Sequence, residues 1–245
     1  MPPGLTLPRH RHRAGYATVV LAGYFTEASF AGRFTARPGD VLLHGSFDCH
    51  ANGALSRRGL QILRLPWFDD AREGHFRVRD ADALARLAQR DPLSASEQLA
   101  HELDFAAADE KHWSDRLAAD LTHDPGLSLD RWAMRENLQP EVLSRGFRRA
   151  FGVTPKLFRL EIRTRRAWNA IVHSSSTLTS IAHDFGFADL AHLSRSVSVF
   201  TGLAPSAWRA TERADKDQLR SSRNCSHSAT LDDRIFRAPD RESSR

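Results

Sequence analysis

Residues 143–159 read LSRGFRRAFGVTPKLFR, and residues 193–209 read LSRSVSVFTGLAPSAWR. A shift of 50 positions places six identical residues opposite one another, among them the glycine and the proline. Positions 153 and 203 both stay aliphatic, and positions 158 and 208 both stay aromatic. The chain therefore contains an internal repeat. Two copies are fewer than the ~3 that a stacked solenoid needs, so we expect a pair of related units.

Each copy predicts two short helices joined by a tight turn. The predicted segments are a helix at 129–135, a turn at 136–139 and a helix from Pro140, then a helix at 179–184, a turn at 185–188 and a helix after Asp189. Proline and aspartate are good helix starters, and Gly152 and Gly202 suit the left-handed position that ends a helix. This pattern is typical of a helix-turn-helix unit, whose second helix enters the DNA major groove. The alternative is two helical hairpins packed only for stability.

The segment between the copies, residues 155–173, predicts one long helix. Its apolar side chains share a face (Leu157, Leu160, Ile162, Trp168, Ile171), and its arginines are expected outside (Arg159, Arg163, Arg165, Arg166). Such a helix spans roughly 25–30 Å. It suits two recognition helices about one DNA turn, ~34 Å, apart. One chain would then read a site that is not palindromic.

The net charge of +5 is concentrated around the repeat. Residues 1–111 hold 14 Lys+Arg and 14 Asp+Glu, a net charge of 0, whereas residues 127–209 hold 12 and 6, a net charge of +6. A basic segment beside a neutral one is typical of a DNA-binding domain attached to another domain.

These residues resemble the AraC/XylS-type transcriptional regulators. The matching pieces are Gln139-Pro140, Leu143-Ser144-Arg145, Phe147, Gly152 and Pro155 in the first copy, and Ile181-Ala182, Gly186-Phe187, His192-Leu193-Ser194-Arg195, Pro205 and Trp208 in the second. The match covers residues 112–211, with both half-motifs in order. The resemblance implies an all-α domain with two helix-turn-helix units, usually after a sensor or dimerisation domain. It also implies an activator that contacts RNA polymerase near a promoter.

Carried over position by position, the resemblance implies two sets of DNA-contacting residues. The first recognition helix aims Glu141, Ser144 and Arg145 at bases and Arg148 and Arg149 at phosphates; the second aims Leu190, Ala191, His192, Ser194 and Arg195. Arg145 is the strongest candidate, because arginine pairs with O6 and N7 of guanine. Phosphate contacts set the register of the protein on the duplex.

Two departures from the family pattern affect these predictions. Val197 stands where the family has an aromatic, and Ser198 and Val199 stand near positions that often hold cations. We therefore expect the second unit to bind more weakly or to read mainly DNA shape. Glu141 either accepts a hydrogen bond from a cytosine amine or is an acid stabilised by the helix N-terminus.

Short apolar runs predict strands over residues 14–67. The turn signals between them are Ala31-Gly32, Pro38-Gly39-Asp40 and Asn52-Gly53. Residues 8–67 resemble the cupin-like sensor domains, through His10-Arg11-His12, Gly23 and the run from Pro38-Gly39-Asp40 to His50. In cupin enzymes such histidines hold a metal; here the carboxylate ligand is absent and Tyr16 stands near its place. We expect these histidines to face solvent or to line a small-molecule pocket, with a metal at His10, His12 and His50 as the alternative, and we expect no cofactor.

The predicted fold is α+β with two domains, a small antiparallel β domain and an all-α domain. The predicted ranges are 1–75 for a cupin-like sensor domain, 76–111 for a helical linker or dimerisation region, 112–211 for the double helix-turn-helix domain and 212–245 for a disordered tail. Helices between residues 80 and 105 either pair two sensor domains or pack against the DNA-binding domain. Five aromatic residues are assigned to the core: Trp132, Phe147, Phe151, Phe187 and Trp208.

Composition narrows the functional class. Two distant cysteines, Cys49 and Cys225, do not form a disulfide framework and favour the cytosol. No apolar run approaches the ~20 residues of a membrane helix, and no signal peptide is evident.

We expect a cytoplasmic, nucleoid-associated regulator and not an enzyme. Its expected partners are double-stranded DNA, RNA polymerase and an unknown small-molecule effector, with a homodimer left open. The alternative is a metal-binding cupin sensor or enzyme whose helical domain is an adaptor.

Overall fold

The computed structural model describes residues 6–53, 59–70, 72–106 and 112–211. The predicted tail at 212–245, which holds Cys225, lies outside the described residues. An antiparallel β domain comes first and a helical domain follows, which confirms the predicted α+β class. Among the described residues, no helix is both long enough and apolar enough to span a membrane.

The β domain consists of two antiparallel sheets. Its strands are β1 (Leu7–Arg11), β2 (Tyr16–Ala22), β3 (Phe25–Ser29), β4 (Gly32–Ala36), β5 (Asp40–His44), β6 (Cys49–Gly53), β7 (Gln61–Pro66), β8 (Gly74–Arg77) and β9 (Asp104–Phe105). One sheet has the order β1-β6-β3-β4 and the other the order β7-β2-β5-β8-β9. The strands begin earlier and end later than the predicted span, since β1 precedes residue 14 and β8 and β9 follow residue 67.

Two of the three predicted turns are confirmed. Gly32 starts β4 with a φ of 132°, and Gly39 precedes β5 with a φ of 86°. The third prediction, a turn at Asn52-Gly53, is wrong because both residues belong to β6. Asn52 pairs there with Glu27 of β3 and donates a side-chain hydrogen bond to its carboxylate (3.0 Å). A partner distant in sequence thus outweighs the local turn preference of Asn-Gly.

Helices α1 (Ala81–Ala88) and α2 (Pro92–Glu102) pack on the second sheet. Leu84 of α1 and Leu99 of α2 are fully buried with Val19 and Val41 in one apolar cluster. The predicted domain boundary at residue 75 falls inside β8, which pairs with β5. The described part of the predicted linker therefore belongs to the core of the β domain.

The helical domain follows the predicted segments closely. Its helices are α3 (Trp113–His123), α4 (Leu129–Arg135), α5 (Pro140–Phe151), α6 (Pro155–His173), α7 (Leu178–Asp184) and α8 (Leu190–Thr201). Side-chain oxygens of Ser128, Thr154 and Thr177 accept backbone N–H groups at the starts of α4, α6 and α7. All five aromatic residues assigned to the core are buried. Local capping and apolar periodicity thus suffice to place these helices.

One hydrophobic cluster joins the two domains. Phe47, between β5 and β6, packs edge-on against Trp168 of α6 (ring centroids 4.7 Å apart) and against Trp208 (5.8 Å). Phe30, after β3, packs on Phe158 of α6 (5.4 Å). All five rings are buried. The β domain therefore has a fixed position on the helix that connects the two helix-turn-helix units.

The sequence pattern predicts that the arginines of α6 lie outside, but in the structure each of them donates a hydrogen bond to another part of the chain. Arg165 is an interdomain residue that donates to the carbonyl of Ser46 (2.7 Å) and pairs with Glu73 (2.9 Å). The other three donate to backbone carbonyls within the helical domain: Arg159 to Leu127, Arg163 to Phe185 and Arg166 to Thr122. Part of the local positive charge is therefore used inside the protein.

Phe47→Ala is expected to lower the free energy of unfolding by about 3–5 kcal/mol, the usual cost of truncating a buried phenylalanine. The measurement is urea denaturation followed by tryptophan fluorescence. Phe68→Ala is the control, because Phe68 is 79% exposed. A Phe47→Ala protein as stable as the Phe68→Ala protein would contradict the interdomain role of this ring.

Candidate nucleic-acid interface and ligand cavity

The two helix-turn-helix units share one hydrogen-bonding pattern. In the first, the N–H of Leu138 donates to the carbonyl of Ala133 (2.9 Å); in the second, the N–H of Phe187 donates to the carbonyl of Ala182 (2.8 Å). These bonds lie 49 residues apart, whereas α5 and α8 start 50 residues apart. The second turn is therefore one residue longer than the first.

The recognition helices α5 and α8 differ at their N-termini. The carboxylate of Asp189 accepts the N–H of His192 (2.6 Å) and caps α8. Gln139 precedes α5 and makes no side-chain capping bond. Both helices end at a glycine in the left-handed conformation, Gly152 with φ 78° and Gly202 with φ 82°. The predicted N-cap at Asp189 and both C-terminal glycines are confirmed.

The predicted DNA-contacting residues of α5 form an outward face. Glu141, Arg145, Arg148 and Arg149 are exposed, and Ser144 is half-buried. Spacings of three, four and seven residues place 141, 144, 145 and 148 on one side of the helix. The Nε of Arg145 donates to the carbonyl of Glu141 one turn earlier (3.4 Å). Arg149 also lines a groove between α5 and the β domain.

The predicted residues of α8 are less uniform. Leu190, Ala191 and Arg195 are exposed, whereas His192 and Ser194 are half-buried. The ring of His192 packs edge-on against Phe187 (5.2 Å), and its Nδ1 lies 3.4 Å from the backbone nitrogen of Ala188. His192 therefore contacts its own turn in this structure, while Arg195 is free to face outward.

A cavity of about 160 Å³ opens inside the β domain. The three predicted histidines line it: His10 on β1, His12 just after β1, and His50 on β6. The centroid of the His50 ring lies 4.3 Å from that of His10 and 5.5 Å from that of His12. The structure thus brings together side chains that are 40 positions apart.

Other polar residues of the cavity were missed from the sequence. Arg64 stacks on Tyr16 (3.9 Å to the ring centroid), and the Tyr16 hydroxyl hydrogen-bonds with His50 Nε2 (3.0 Å). Glu27 is buried and its carboxylate lies 3.5 Å from His44 Nε2. A usable signal was present for Glu27, because β-strand periodicity places it on the same face as Phe25. Arg64 carries no comparable signal.

The electrostatics of the cavity separate neutral rings from charged groups. Burial, assisted by Arg64, lowers the pKa of His12 to about 4. Burial, assisted by His44, lowers the pKa of His50 to about 2. Both rings are therefore neutral near pH 7. Burial alone lowers the pKa of His44, but the carboxylates of Glu27 and Asp48 raise it overall, and burial raises the pKa of Glu27 to about 7.

The cupin-like resemblance implies a metal, and the three histidines are compatible with one. Each offers a ring nitrogen, and these nitrogens lie within 4.8 Å of one another. Neutral imidazole is the form that binds zinc and similar ions. The Nδ1 of His50 is buried and has no hydrogen-bond partner among the described residues. A metal held here would be a Lewis acid, and Tyr16 occupies the neighbourhood of the missing carboxylate.

Asp189→Ala is expected to lower the free energy of unfolding by about 1 kcal/mol, because the N-terminal N–H groups of α8 lose their acceptor. Gln139→Ala removes the side chain at the equivalent position of α5, where no capping bond exists, and should change stability little. Urea denaturation of both variants measures the difference. Equal effects would contradict the assigned capping difference.

Comparison with known proteins identifies a helix-turn-helix domain in this chain. A family model described as a helix-turn-helix domain matches residues 132–211. No curated protein matches the chain.

Solved structures similar to this chain include ToxT from Vibrio cholerae, with 11% identity and a TM-score of 0.41 over 85% of this chain and 95% of ToxT. A DNA-binding transcriptional dual regulator from Escherichia coli K-12 has 16% identity and a TM-score of 0.39, covering 44% of this chain and 99% of that one. The C-terminal domain of the response regulator AraT from Geobacillus stearothermophilus has 17% identity and a TM-score of 0.38, covering 53% and 98%.

The matched domain contains both half-motifs of the AraC/XylS resemblance, and the structure forms both of its helix-turn-helix units. Residues 132–211 therefore form a helix-turn-helix domain of the matched family.

Proposed function

We propose that this regulator reads two adjacent major-groove half-sites, one with α5 and one with α8, and that a small molecule in the β-domain cavity modulates it. The observation that carries this proposal is the pair of matched helix-turn-helix units joined by the 19-residue helix α6. At 1.5 Å per residue that helix is roughly 28 Å long, close to the ~34 Å between successive major grooves on one face of a duplex.

The residue roles follow from chemistry and exposure. Arg145 is the proposed base reader, with Glu141 and Ser144 beside it, because its exposed guanidinium can pair with guanine. Arg148 and Arg149 are the proposed phosphate contacts. On α8, Arg195 is the strongest of the proposed contacts (Leu190, Ala191, His192, Ser194, Arg195), since it is exposed and cationic.

The effector proposed for the cavity is compact and partly polar. The volume of about 160 Å³ limits its size, and the lining combines apolar residues such as Leu7 and Phe25 with imidazole, phenol and guanidinium groups.

Activation through contact with RNA polymerase is part of this proposal and rests on the family resemblance. A homodimer also stays a prediction. Helices α1 and α2 bury their apolar faces on their own sheet.

A second candidate is a metal-binding sensor or metal-dependent enzyme, and the convergence of His10, His12 and His50 favours it. Equilibrium dialysis of the purified chain against zinc tests this candidate. Retention of about one zinc per chain, lost in His50→Ala, would support it. No retained zinc would remove it. The matched helix-turn-helix domain favours the regulator over the enzyme.

Selection from random duplexes at physiological ionic strength, about 0.15 M, tests the main proposal. We expect enrichment of two half-sites separated by about one helical turn, ~10 base pairs. The full chain is tested alone and with metabolites from a cell extract. If neither sample enriches a motif, sequence-specific reading is contradicted.

Arg145→Ala is expected to weaken binding to the selected site by about 1–3 kcal/mol and to relax preference at one base pair. Arg148→Ala should weaken all duplexes alike and lower the slope of log affinity against log salt by about one. Titrations by fluorescence anisotropy on selected and scrambled duplexes measure both. Arg90→Ala, at an exposed position of the β domain, is the control. A loss of affinity that is equal on the two duplexes for Arg145→Ala would refute its base-reading role.

A further inference from the structure

Strand β1 and the two residues after it present different side chains to the two domains. His10 and His12 line the cavity of the β domain. Arg9, Arg11 and Arg13 instead contact aromatic rings of the helical domain: Phe158 (5.2 Å), Phe200 (4.7 Å) and Trp208 (4.8 Å), respectively. The alternation of side chains along an extended chain produces this division.

Arg11 contacts the C-terminal end of the second recognition helix. Its Nε donates to the carbonyl of Phe200, and its terminal nitrogen donates to the carbonyl of Val199 (3.0 Å). Both carbonyls belong to the last turn of α8. The guanidinium also lies over the Phe200 ring. One side chain of the β domain therefore binds two backbone groups of α8.

The sequence of α8 explains why this contact matters. The last carbonyls of a helix have no partner inside the helix, and a cation placed there is favoured by the helix dipole. Helix α5 carries its own cations in its last turn, Arg148 and Arg149, whereas the last turn of α8 contains none. Arg11 supplies from another domain the positive charge that α8 lacks.

A buried ion pair holds β1 in place for this contact. The Nε of Arg9 lies 2.8 Å from a carboxylate oxygen of Glu161 on α6, and the two side chains are only 5% and 13% exposed. The Arg9 guanidinium also lies 5.2 Å from the centroids of both Phe30 and Phe158. This ion pair fixes β1 on α6 at Arg9, two residues before Arg11.

We propose that Arg11 is a positioning residue for the second DNA-reading unit, so that the sensor domain completes the C-terminal end of α8. The part of this proposal that concerns DNA rests on the function proposed above for α8. His10 and His12 flank Arg11 in the chain, so a ligand in the cavity binds against the same strand that holds the recognition helix. Through Arg11, the sensor domain acts on the half-site that α8 reads.

The test compares three variants of the full chain: Arg11→Ala, Arg11→Lys and Arg33→Ala. Arg33 is the matched control, because it makes another interdomain ion pair, with Asp115 of α3 (2.7 and 2.8 Å). The first readout needs no DNA and is amide hydrogen exchange, resolved to single helices. We expect the last two turns of α8 to exchange about tenfold faster in Arg11→Ala, within the range for a C-terminal cation, with α5 unchanged. Arg11→Lys should restore part of the protection, and Arg33→Ala should leave α8 unaffected.

The second readout is a footprint on the selected duplex. Arg11→Ala should lose protection of the half-site read by α8 while it keeps the half-site read by α5. Altered exchange in α8 with both half-sites still protected would overturn the role in DNA reading. Exchange in α8 that is unchanged, or changed equally by Arg33→Ala, would overturn the positioning role. If the wild-type chain protects no duplex but α8 still exchanges faster in Arg11→Ala, the positioning role is upheld and the proposed two-site function is refuted.

Discussion

The packing of Phe47 against Trp168 and Trp208 is the contact on which the rest of the arrangement depends. Trp168 lies on α6, the helix that connects both helix-turn-helix units, and Trp208 follows the second unit. A ring from the β domain inserted there makes the two domains share one apolar core. Once this core has formed, the arginines of β1 and the Arg165–Glu73 pair lie within reach of their partners. The hydrophobic term is non-directional, so the ion pairs and hydrogen bonds set the orientation.

The helical domain could be predicted from sequence almost to the residue, because its signals are local. Pro140 and Asp189 start recognition helices, and Gly152 and Gly202 end them, so the bounds of these helices follow from neighbouring residues. The same local reasoning failed for Asn52-Gly53, where pairing with Glu27 keeps the chain extended. It also failed for Arg165, which an amphipathic pattern places on a solvated face and the structure places in the interface. In both cases contacts between segments distant in sequence determine the structure, and such contacts could not be predicted from the sequence pattern.

The candidate ligand cavity was likewise only partly predictable from the sequence. The histidine pattern was visible in the sequence because His10 and His12 are two positions apart in an extended segment, which points both side chains to the same side. The buried charges behind them were not visible. The pKa of His44 is raised because Glu27 and Asp48 converge on its ring from other positions and outweigh the effect of burial. The cavity-facing rings of His12 and His50 are thus neutral near pH 7, while Arg64 and Glu27 line the same cavity.

The shared core and the arginines of β1 bear on how this protein can be recombined with others. Regulators with separable domains tolerate shuffling, in which a sensor from one chain is fused to the reader of another through a linker. Here the β domain presents Phe47, Arg9 and Arg11 to specific rings and carbonyls of its own helical domain. A hybrid that joins this β domain to a foreign reader would deprive Arg9, whose side chain is 5% exposed here, of its partner Glu161, and an unpaired guanidinium is costly in a low-dielectric interface. A working chimera must therefore exchange the two domains together or redesign both sides of the contact.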